Sequence, residues 1–561
     1  MSWWRCRELD VGSCDRDQSN PVSPMVSGRN GIVVTDQQYA SEVGLQILKE
    51  GGNAIDAAVA VGYALAVTNP CCGNLGGGGF MLIRFADGRT QFLDFRETAP
   101  FASIRDLYLN AQGEVIPDLS TKGYLAVAVP GTVMGLDRAL ARYGTMPRQQ
   151  VMAPAIRLAA DGFVLDPGDQ LVAEDLETFQ EYPNVAEIFL KPGKEKYQEG
   201  DRLRQPDLAE TLRLIAQQGS DGFYQGAIAE TIISSSQQYG GILTSADLAS
   251  YQVIERQPIK CTYRGYEVIS APPPGGGTTL CQMLNILSGY PLKDFGFQTP
   301  RSLHVMLSAM LFAFADRNTH LGDPAFVENP VQRLLSKDYA TTVRAQIPED
   351  RALPVEPLYA NITALEEKET THYSIVDGEG NAVAVTYTLN TNYGAGVIAG
   401  DTGFFLNNEM DDFSIKPGVP NTFGLVQGKA NQIEPGKRPL SSMAPTIVVR
   451  NNRVAMVTGS PGGPTIPTTV LQVITNVVDH GMELDKAVNT PRVHYQGKPN
   501  FVVTEPYALE SATVQRLWEM GYRVLPFKSW GAAETIGVDT RLDWFRGVND
   551  GRRPAGQAIA D

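Results

Sequence analysis

The sequence predicts a layered α/β sandwich, in which helices cover sheets of strands. Helical patterns fill much of the chain before residue 370, strand patterns dominate after it, and a helical pattern returns at 465–480. Because a sheet must bury its apolar faces against helices or another sheet, this order of elements favours packed layers. The 561 residues provide several domains' worth of buried core, and 43% hydrophobic with 19% charged content is typical of globular proteins.

Two helices open the predicted fold. The first covers Gln37–Glu50 and ends at the glycine pair 51–52, which is a helix stop signal. Asn53 stands where it can cap a second helix, Ala54–Val67. That helix is apolar nearly all round, so we expect it to be buried on several sides.

A hairpin and a series of helices follow. Strands at 79–85 and 90–95 flank a short turn at 86–88. Three prolines and three glycines at 272–277 can form neither a helix nor a central strand, so we predict a loop. The helical patterns on either side of it lie at 133–143, 150–161, 208–218, 228–238 and 303–318.

Strands dominate the C-terminal part. A charged run at 366–369 precedes strands at 372–376 and 382–389, which are joined by a turn. Later strands at 446–449 and 454–458 lead into the helix at 465–480. No internal repeat is evident in this pattern.

Composition argues against two classes of protein. The formal charge is −15, with 47 basic and 62 acidic residues and no basic run, which disfavours nucleic acid as a partner. The longest apolar run, Ala57–Val67, falls short of the ~20 residues that a membrane-spanning helix needs. Residues 1–28 are predicted to form a polar tail without the apolar segment of a secretory signal, which leaves a cytoplasmic location open.

Neither a cofactor nor a metal ion is predicted. The histidines and the six cysteines match no metal-site spacing, and the glycine run 76–79 lacks the lysine of a phosphate-binding loop. We therefore interpret these glycines as structural. A chain of this length needs no disulfide framework, so free thiols are predicted at Cys6, Cys14, Cys71, Cys72, Cys261 and Cys281.

Thr370 is the candidate nucleophile. A threonine hydroxyl needs a base, and a threonine that begins a chain has one in its own α-amine. The pKa of a free α-amine is about 7.7–8.0, which suits a general base near neutral pH. From the residues alone, however, the pair Thr370-Thr371 is explained more simply as the β-branched start of a strand.

Two further motifs allow two interpretations each. The stretch Asn407–Asp412 packs carboxylates and amides into six residues, which is either a solvated turn or a site for an ammonium group. Ser460–Gly463 is either a simple turn or a run of backbone N–H groups that can bind an oxyanion.

Taken together, the motifs resemble the γ-glutamyltranspeptidase family of the N-terminal-nucleophile hydrolase superfamily. They run in family order along nearly the whole chain, leaving out only the first ~28 residues and the extreme C-terminus. The motifs that carry the resemblance are 50–58 (EGGNAIDAA), 74–80 (NLGGGGF), 94–97 (DFRE), 130–132 (PGT), 272–277 (PPPGGG), 370–374 (TTHYS), 388–390 (TLN), 407–413 (NNEMDDF), 438–443 (RPLSSM) and 459–463 (GSPGG).

The resemblance implies a four-layer αββα sandwich and a self-cleaving precursor. Cleavage between Glu369 and Thr370 would separate a large subunit, 29–369, from a small subunit, 370–561, and both would remain in one structural unit. Thr370 would then take the γ-glutamyl group of glutathione or a related γ-glutamyl compound as an ester. Water, an amino acid or a dipeptide would receive that group.

The resemblance also implies a role for each matching residue. Arg96, Ser441 and Ser442 would hold the substrate α-carboxylate, and Asn390, Glu409 and Asp412 would accept from its α-ammonium. The N–H groups of Gly462 and Gly463 would form the oxyanion hole, and Thr388 would contact Thr370.

The chain departs at one position from the family pattern that it resembles. The segment 417–428 resembles the lid loop of bacterial members, and Phe423 stands where some of them have tyrosine, so a hydroxyl contact from lid to site is expected to be absent. Family members are commonly exported, which favours a periplasmic or extracellular location. Two other functions remain as alternatives: an acylase of the cephalosporin type, and an amino-acid-binding relative that never matures.

Overall fold

Four layers of secondary structure make up the fold. The computed structural model describes residues 24–173, 177–193, 195–355, 370–539, 542 and 544–561. Within these ranges, two seven-stranded sheets pack face to face, and helices cover the outer face of each sheet. The predicted αββα sandwich is therefore confirmed.

The strands are mostly short. In chain order they are β1 Val26–Gly28, β2 Gly31–Thr35, β3 Gly78–Arg84, β4 Thr90–Phe95, β5 Phe163–Val164, β6 Arg202–Leu203, β7 Ile254–Arg256, β8 Ile259–Tyr263, β9 Tyr266–Ser270, β10 Thr371–Asp377, β11 Ala382–Thr388, β12 Thr446–Arg450, β13 Arg453–Thr458, β14 Val493–His494, β15 Val502–Thr504, β16 Val524–Pro526, β17 Thr535–Asp539, β18 Trp544–Val548 and β19 Gln557–Ala560.

The helices vary more in length. They are α1 Gln38–Lys49, α2 Ala54–Thr68, α3 Thr132–Tyr143, α4 Arg148–Asp161, α5 Gln170–Ala173, α6 Pro183–Phe189, α7 Pro206–Gln218, α8 Asp221–Tyr224, α9 Gly226–Gln238, α10 Ser245–Ser250, α11 Gly277–Leu287, α12 Leu292–Phe295, α13 Pro300–His320, α14 Val331–Leu334, α15 Lys337–Arg344, α16 Thr465–Val478, α17 Leu484–Asn489 and α18 Ser511–Glu519.

Both large sheets are antiparallel and mix strands from distant parts of the chain. The first has the order β19-β2-β10-β11-β3-β4-β7, and the second has the order β1-β18-β17-β13-β12-β9-β8. In the first sheet β10 and β11 are central, with Thr371 opposite Tyr387. The residue that precedes β10, Thr370, therefore lies at the end of a fully supported strand.

Three apolar cores separate the layers. Between the sheets, Ile32 and Phe80 of the first sheet pack with Ile447 and Val457 of the second. Helices α1 and α2 form a core with the outer face of the first sheet, and α11, α13 and α16 form one with the second. Each sheet thus buries both faces, which explains why β10 and β11 are buried along their whole length.

The predicted helices and strands are present, with ends that shift by a few residues. Helix α2 has the N-terminal cap that the sequence predicts: Asn53 accepts from the N–H groups of Ile55 and Asp56, and Asp56 accepts in turn from Asn53 N at 2.9 Å. All of α2 is buried, as its uniform apolar surface predicts. No helix in the described ranges is long and apolar enough to cross a membrane.

Two sequence-based predictions need correction. The predicted tail is shorter at its inner end, because Val26–Gly28 form β1 and pair with β18. Free thiols are wrong for four cysteines: Cys71 is bonded to Cys72, and Cys261 to Cys281. The second pair forms because β8 packs against α11 and brings the two Cα atoms to 5.9 Å, a proximity that spacing in the sequence cannot reveal. Residues 1–23, with Cys6 and Cys14, and the charged run 366–369 lie outside the described residues.

Candidate active site

Thr370 and Thr388 form the centre of the candidate site. Thr370 is 4% exposed, and its Oγ1 lies 3.2 Å from Oγ1 of Thr388, the last residue of β11. Thr388 pairs with Gly78 in β3. Beside this pair, a Cβ atom on Gly77 would lie 1.9 Å from the Thr388 carbonyl oxygen, so only glycine fits there. The glycine run therefore has the structural role that we predicted.

Asn390 turns the chain sharply after β11. Its φ of 84° lies in the left-handed region, which asparagine tolerates better than most residues. Its backbone N–H donates to Thr388 Oγ1 at 2.9 Å, and its Nδ2 donates to the Asn408 carbonyl at 3.0 Å. Because the Thr388 hydroxyl accepts from this N–H, its own hydrogen can point towards Thr370.

A buried charge cluster lies beside the two threonines. We call Arg96, Glu97, Glu409 and Asp412 the site cluster. Nη1 of Arg96 lies 2.6 Å from Glu409 and 3.4 Å from Glu97, and Nη2 pairs with Asp412. Arg96 itself is fully buried. One guanidinium thus faces three carboxyl groups.

Burial is the main influence on the ionisation of Glu97 and Glu409. Burial raises the pKa of Glu97 to about 7, although the charge of Arg96 opposes the shift. Burial also raises the pKa of Glu409 well above its usual range, again against the charge of Arg96. Both groups are therefore easily protonated when no further cation is present, and an incoming ammonium group would favour their charged forms.

The serine pair lies in the loop before β12. Ser441 N donates to the Pro274 carbonyl at 2.7 Å, so the predicted proline-glycine loop directly supports it. Ser442 Oγ accepts from Nη2 of Arg317 on α13 at 3.1 Å. No motif in the sequence singles out Arg317. A basic residue inside the apolar pattern of α13 was the available signal, because a buried charge needs a partner.

Gly462 and Gly463 precede α16 in a conformation that other residues rarely adopt. Their φ values are 123° and 52°. Within the described part of the chain, neither N–H donates to a protein acceptor, whereas both carbonyls accept from the first turn of α16. The N–H groups are thus available to a ligand, as an oxyanion hole requires.

One cavity unites most of the predicted residues. All of them except Gly462 line it, together with residues that we did not predict. The full lining is Arg96, Thr370, Thr388, Asn390, Glu409, Asp412, Phe423, Leu425, Ser441, Ser442, Met443, Gly463, Pro464 and Ile466.

The lid segment contributes apolar walls to the cavity. Phe423 is buried and packs with Leu425 and with Phe314 of α13. The segment thus lies over the site through apolar packing.

The histidines take no part in this cavity. His372 is fully buried, and burial lowers its pKa to about 3, so the ring is neutral. Its ring nitrogens lie 2.8 Å from Thr386 Oγ1 and 3.2 Å from Ser374 Oγ, which is a structural role. Among the described residues, no group of three or more histidine, cysteine or acidic side chains could hold a metal ion.

Comparison with known proteins agrees with this geometry. The family model for γ-glutamyltranspeptidase matches residues 40–560. The glutathione hydrolase proenzyme of Pseudomonas sp. (strain A14) is 49% identical over 545 residues, covering 95% of each chain. That of Escherichia coli (strain K12) is 46% identical over 546 residues, covering 94% of this chain and 93% of the relative.

A solved structure extends the likeness to the whole fold. The cephalosporin acylase from Bacillus halodurans superposes with a TM-score of 0.82 at 28% identity, and the match covers 100% of this chain and 99% of the acylase. With a family model and close relatives that span nearly all of its length, this chain belongs to the γ-glutamyltranspeptidase family.

Proposed function

We propose that this protein is a self-cleaving γ-glutamyltransferase that also hydrolyses glutathione. The observation that carries the proposal is the position of Thr370, at the start of β10 and in one cavity with Thr388, the site cluster and Gly463. Curated relatives at 43–49% identity are named glutathione hydrolase proenzymes, which supports both the activity and the precursor form.

Maturation is the first step of the proposed mechanism. The Thr370 hydroxyl attacks the carbonyl carbon of Glu369, and the peptide bond is exchanged for an ester as the Thr370 nitrogen leaves. Water then hydrolyses the ester, which frees the Glu369 carboxylate and the Thr370 α-amine. Thr388, 3.2 Å from the attacking oxygen, can hold the hydroxyl in place during this step.

The same hydroxyl then acts on the substrate. The α-amine takes the proton from Oγ1, and Oγ1 attacks the γ-carbonyl carbon of the γ-glutamyl compound. The N–H groups of Gly462 and Gly463 stabilise the oxyanion, a contribution of about 3–4 kcal/mol per donor in comparable enzymes. The leaving amine takes the proton, and water or an amino group of the acceptor later attacks the ester.

The charges around the cavity favour a substrate with an α-amino acid group. Its ammonium would meet the carboxyl surplus of the site cluster, with Asn390 as a further acceptor. Its carboxylate would meet Ser441, Ser442 and the guanidinium of Arg96. Because Arg96 already pairs with Glu409 and Asp412, we expect it to share its donors between those groups and the substrate.

The cephalosporin-acylase alternative receives support from the structural neighbour. An acylase substrate with a glutaryl side chain lacks the α-ammonium, however, so the surplus carboxyl groups of the site cluster would find no cation in it and would have to remain protonated. A relative that binds amino acids without maturing is also disfavoured, because Thr370, Thr388 and both glycines are present. The division into subunits 29–369 and 370–561, and a periplasmic or extracellular location, remain proposals.

Intact-mass analysis of the denatured protein tests the proposal, with Thr370→Ala and Thr370→Ser as matched variants. We expect two masses that meet at Glu369 and Thr370 for the wild type, one uncut mass for Thr370→Ala, and slower cutting for Thr370→Ser. A chromogenic γ-glutamyl anilide should be turned over only by the cut forms. An uncut wild-type chain without turnover would contradict the proposed enzyme activity. It would favour the alternative of an amino-acid-binding relative that never matures.

A further inference from the structure

Two buried carboxyl groups belong to segments that contact β10, lie outside the cavity and have no role in the mechanism above. Asp36 follows β2, and Glu534 precedes β17. They are 4% and 0% exposed. Neither lines the candidate site, so neither is placed to touch substrate.

Asp36 is joined to the residue after the nucleophile. Its Oδ2 accepts from Thr371 Oγ1 at 2.9 Å, and Asn69 Nδ2 donates to the same hydroxyl at 3.0 Å. The Thr371 side chain is therefore held from two sides. Since Thr370 is bonded directly to Thr371, these contacts set the direction in which the chain leaves β10 and presents Thr370.

Glu534 belongs to a segment that connects β10 with the oxyanion loop. The Glu534 carbonyl accepts from Ser374 Oγ of β10 at 2.8 Å. Two residues earlier, Ala532 N donates to Ser460 Oγ at 3.1 Å, in the loop that carries Gly462 and Gly463. The backbone on which the Glu534 side chain is carried is therefore tied both to β10 and to the loop of Gly462 and Gly463.

Three oxygen atoms of this pair have no hydrogen-bond partner among the described residues. They are Asp36 Oδ1 and both carboxyl oxygens of Glu534. Arg553 is the cation that acts on Asp36, whereas Glu534 feels the negative charges of Asp36 and Asp550 and the positive charge of Arg492.

Burial dominates the ionisation of both groups. It raises the pKa of Asp36 to about 6, with Arg553 opposing, and raises the pKa of Glu534 well above its usual range, with Asp36 and Asp550 adding to the effect. Among the described residues Glu534 has no hydrogen-bond donor at either carboxyl oxygen and Asp36 has one only at Oδ2, so a second negative charge in this buried region is unfavourable.

We propose that Asp36 is a positioning residue for Thr370, acting through Thr371, and that Glu534 keeps a proton that holds this carboxyl pair at one negative charge. The inference rests on the proposed function. It adds a second ionisation to the reaction: when rising pH removes the proton from Glu534, repulsion between the two carboxylates disturbs Thr371 and with it Thr370.

The hydrogen bond to Asp36 is tested with Thr371→Val, which keeps the volume, and Thr371→Ser, which keeps the hydroxyl. Misplacement of a nucleophile by about 1 Å can cost on the order of a hundredfold in rate. We expect Thr371→Val to lower kcat or the rate of self-cleavage about ten- to a hundredfold, with little change in KM, and Thr371→Ser to recover most of that loss. Equal rates for the two variants would overturn the role of Asp36.

The proton on Glu534 is tested with Glu534→Gln, which imitates the protonated carboxyl. The wild-type pH profile of kcat should fall at alkaline pH, and in Glu534→Gln that fall should move upward by about one pH unit or more. Asp36→Asn should remove the repulsion and give the same upward shift from a lower kcat. Profiles that superimpose would overturn the inference.

Infrared difference spectroscopy separates this inference from the proposed function, because it needs no activity. At pH 7 the wild type should show the carbonyl band of a buried protonated carboxyl group that Glu534→Gln lacks. If that band is missing, the inference fails even in an active enzyme. If the band is present in a chain that neither cuts itself nor turns over substrate, the proposed function fails instead.

Discussion

Two buried charge clusters in this molecule differ in their balance. The site cluster opposes one guanidinium to three carboxyl groups and borders the cavity. A second cluster, which we call the C-terminal cluster, consists of Arg492, Glu505, Asp550 and Arg552. There two guanidinium groups face two carboxylates, and Asp550 Oδ2 also accepts from Ala533 N at 2.8 Å.

The pKa values of Asp550 and Glu97 differ in the direction that the numbers of guanidinium and carboxyl groups in the two clusters predict. Burial opposes the charged form in both clusters. The charges of Arg492 and Arg552 nevertheless lower the pKa of Asp550 to about 2, whereas the pKa of Glu97 in the site cluster is raised to about 7. The balanced cluster is complete as folded. The surplus carboxyl groups of the site cluster can take up protons or, under the proposed function, pair with the ammonium group of a substrate.

Removing a cation from the balanced cluster should have the largest effect. In Arg492→Met the fully buried Asp550 loses one of its two guanidinium partners, and breaking such a pair costs about 3–5 kcal/mol. We expect a clear loss of thermal and denaturant stability. Wild-type stability in this variant would show that Arg552 alone can satisfy Asp550.

Removing the cation of the site cluster should affect binding more than stability. In Arg96→Met the neighbouring Glu97 and Glu409 can take up protons, which limits the cost of unpaired charge. We expect kcat/KM for a γ-glutamyl substrate to fall about a hundredfold, and Arg96→Lys to recover only part of it. Stability should fall less than in Arg492→Met, and the opposite order would contradict the comparison.

The variant Asp412→Asn tests whether the surplus carboxyl groups of the site cluster bind the α-ammonium group of the substrate. We expect KM to rise about tenfold for γ-glutamyl substrates, which corresponds to about 1.4 kcal/mol. For a glutaryl amide, which lacks the α-ammonium, KM should rise much less. Equal losses for the two substrates would favour the acylase alternative, and both can be measured with chromogenic anilides.

The smallest predicted effect concerns pH. The pKa of Glu97 is about 7 in the folded protein, so below that pH the binding of an ammonium group must displace a proton. The affinity of the site for a ligand with an ammonium group should therefore rise as the pH increases through 7. The inhibition constant of glutamate should fall about three- to tenfold between pH 6 and pH 8 in the wild type, and this dependence should flatten in Glu97→Gln.

The elements of the fold could largely be predicted because their signals are local. Asn53 before an apolar run predicts the start of α2. The alternating patterns on either side of residues 86–88 predict the hairpin of β3 and β4. The pairing of Cys261 with Cys281 could not be predicted, because it depends on how β8 packs against α11. The same holds for β1, whose partner β18 lies more than 500 residues away in the chain.

The candidate site likewise contains residues that the sequence predicts and contacts that it does not. Ordered motifs single out residues from Arg96 to Gly463, and the structure brings nine of the ten predicted side chains or backbones to one cavity. The motifs did not reveal that Glu97 shares the guanidinium of Arg96, or that Arg317 reaches Ser442. Those contacts arise only where separate elements meet, so no pattern along the chain records them.

The interleaved strands have a consequence for the lifetime of a cut molecule. Strand β2 lies between β10 and β19, so a strand from before Thr370 is held on both sides by strands from after it. After cleavage, one refolding chain would become two that must first find each other, and recovery would depend on concentration. Persistence of the mature protein would then be governed by how slowly it unfolds rather than by how readily it refolds.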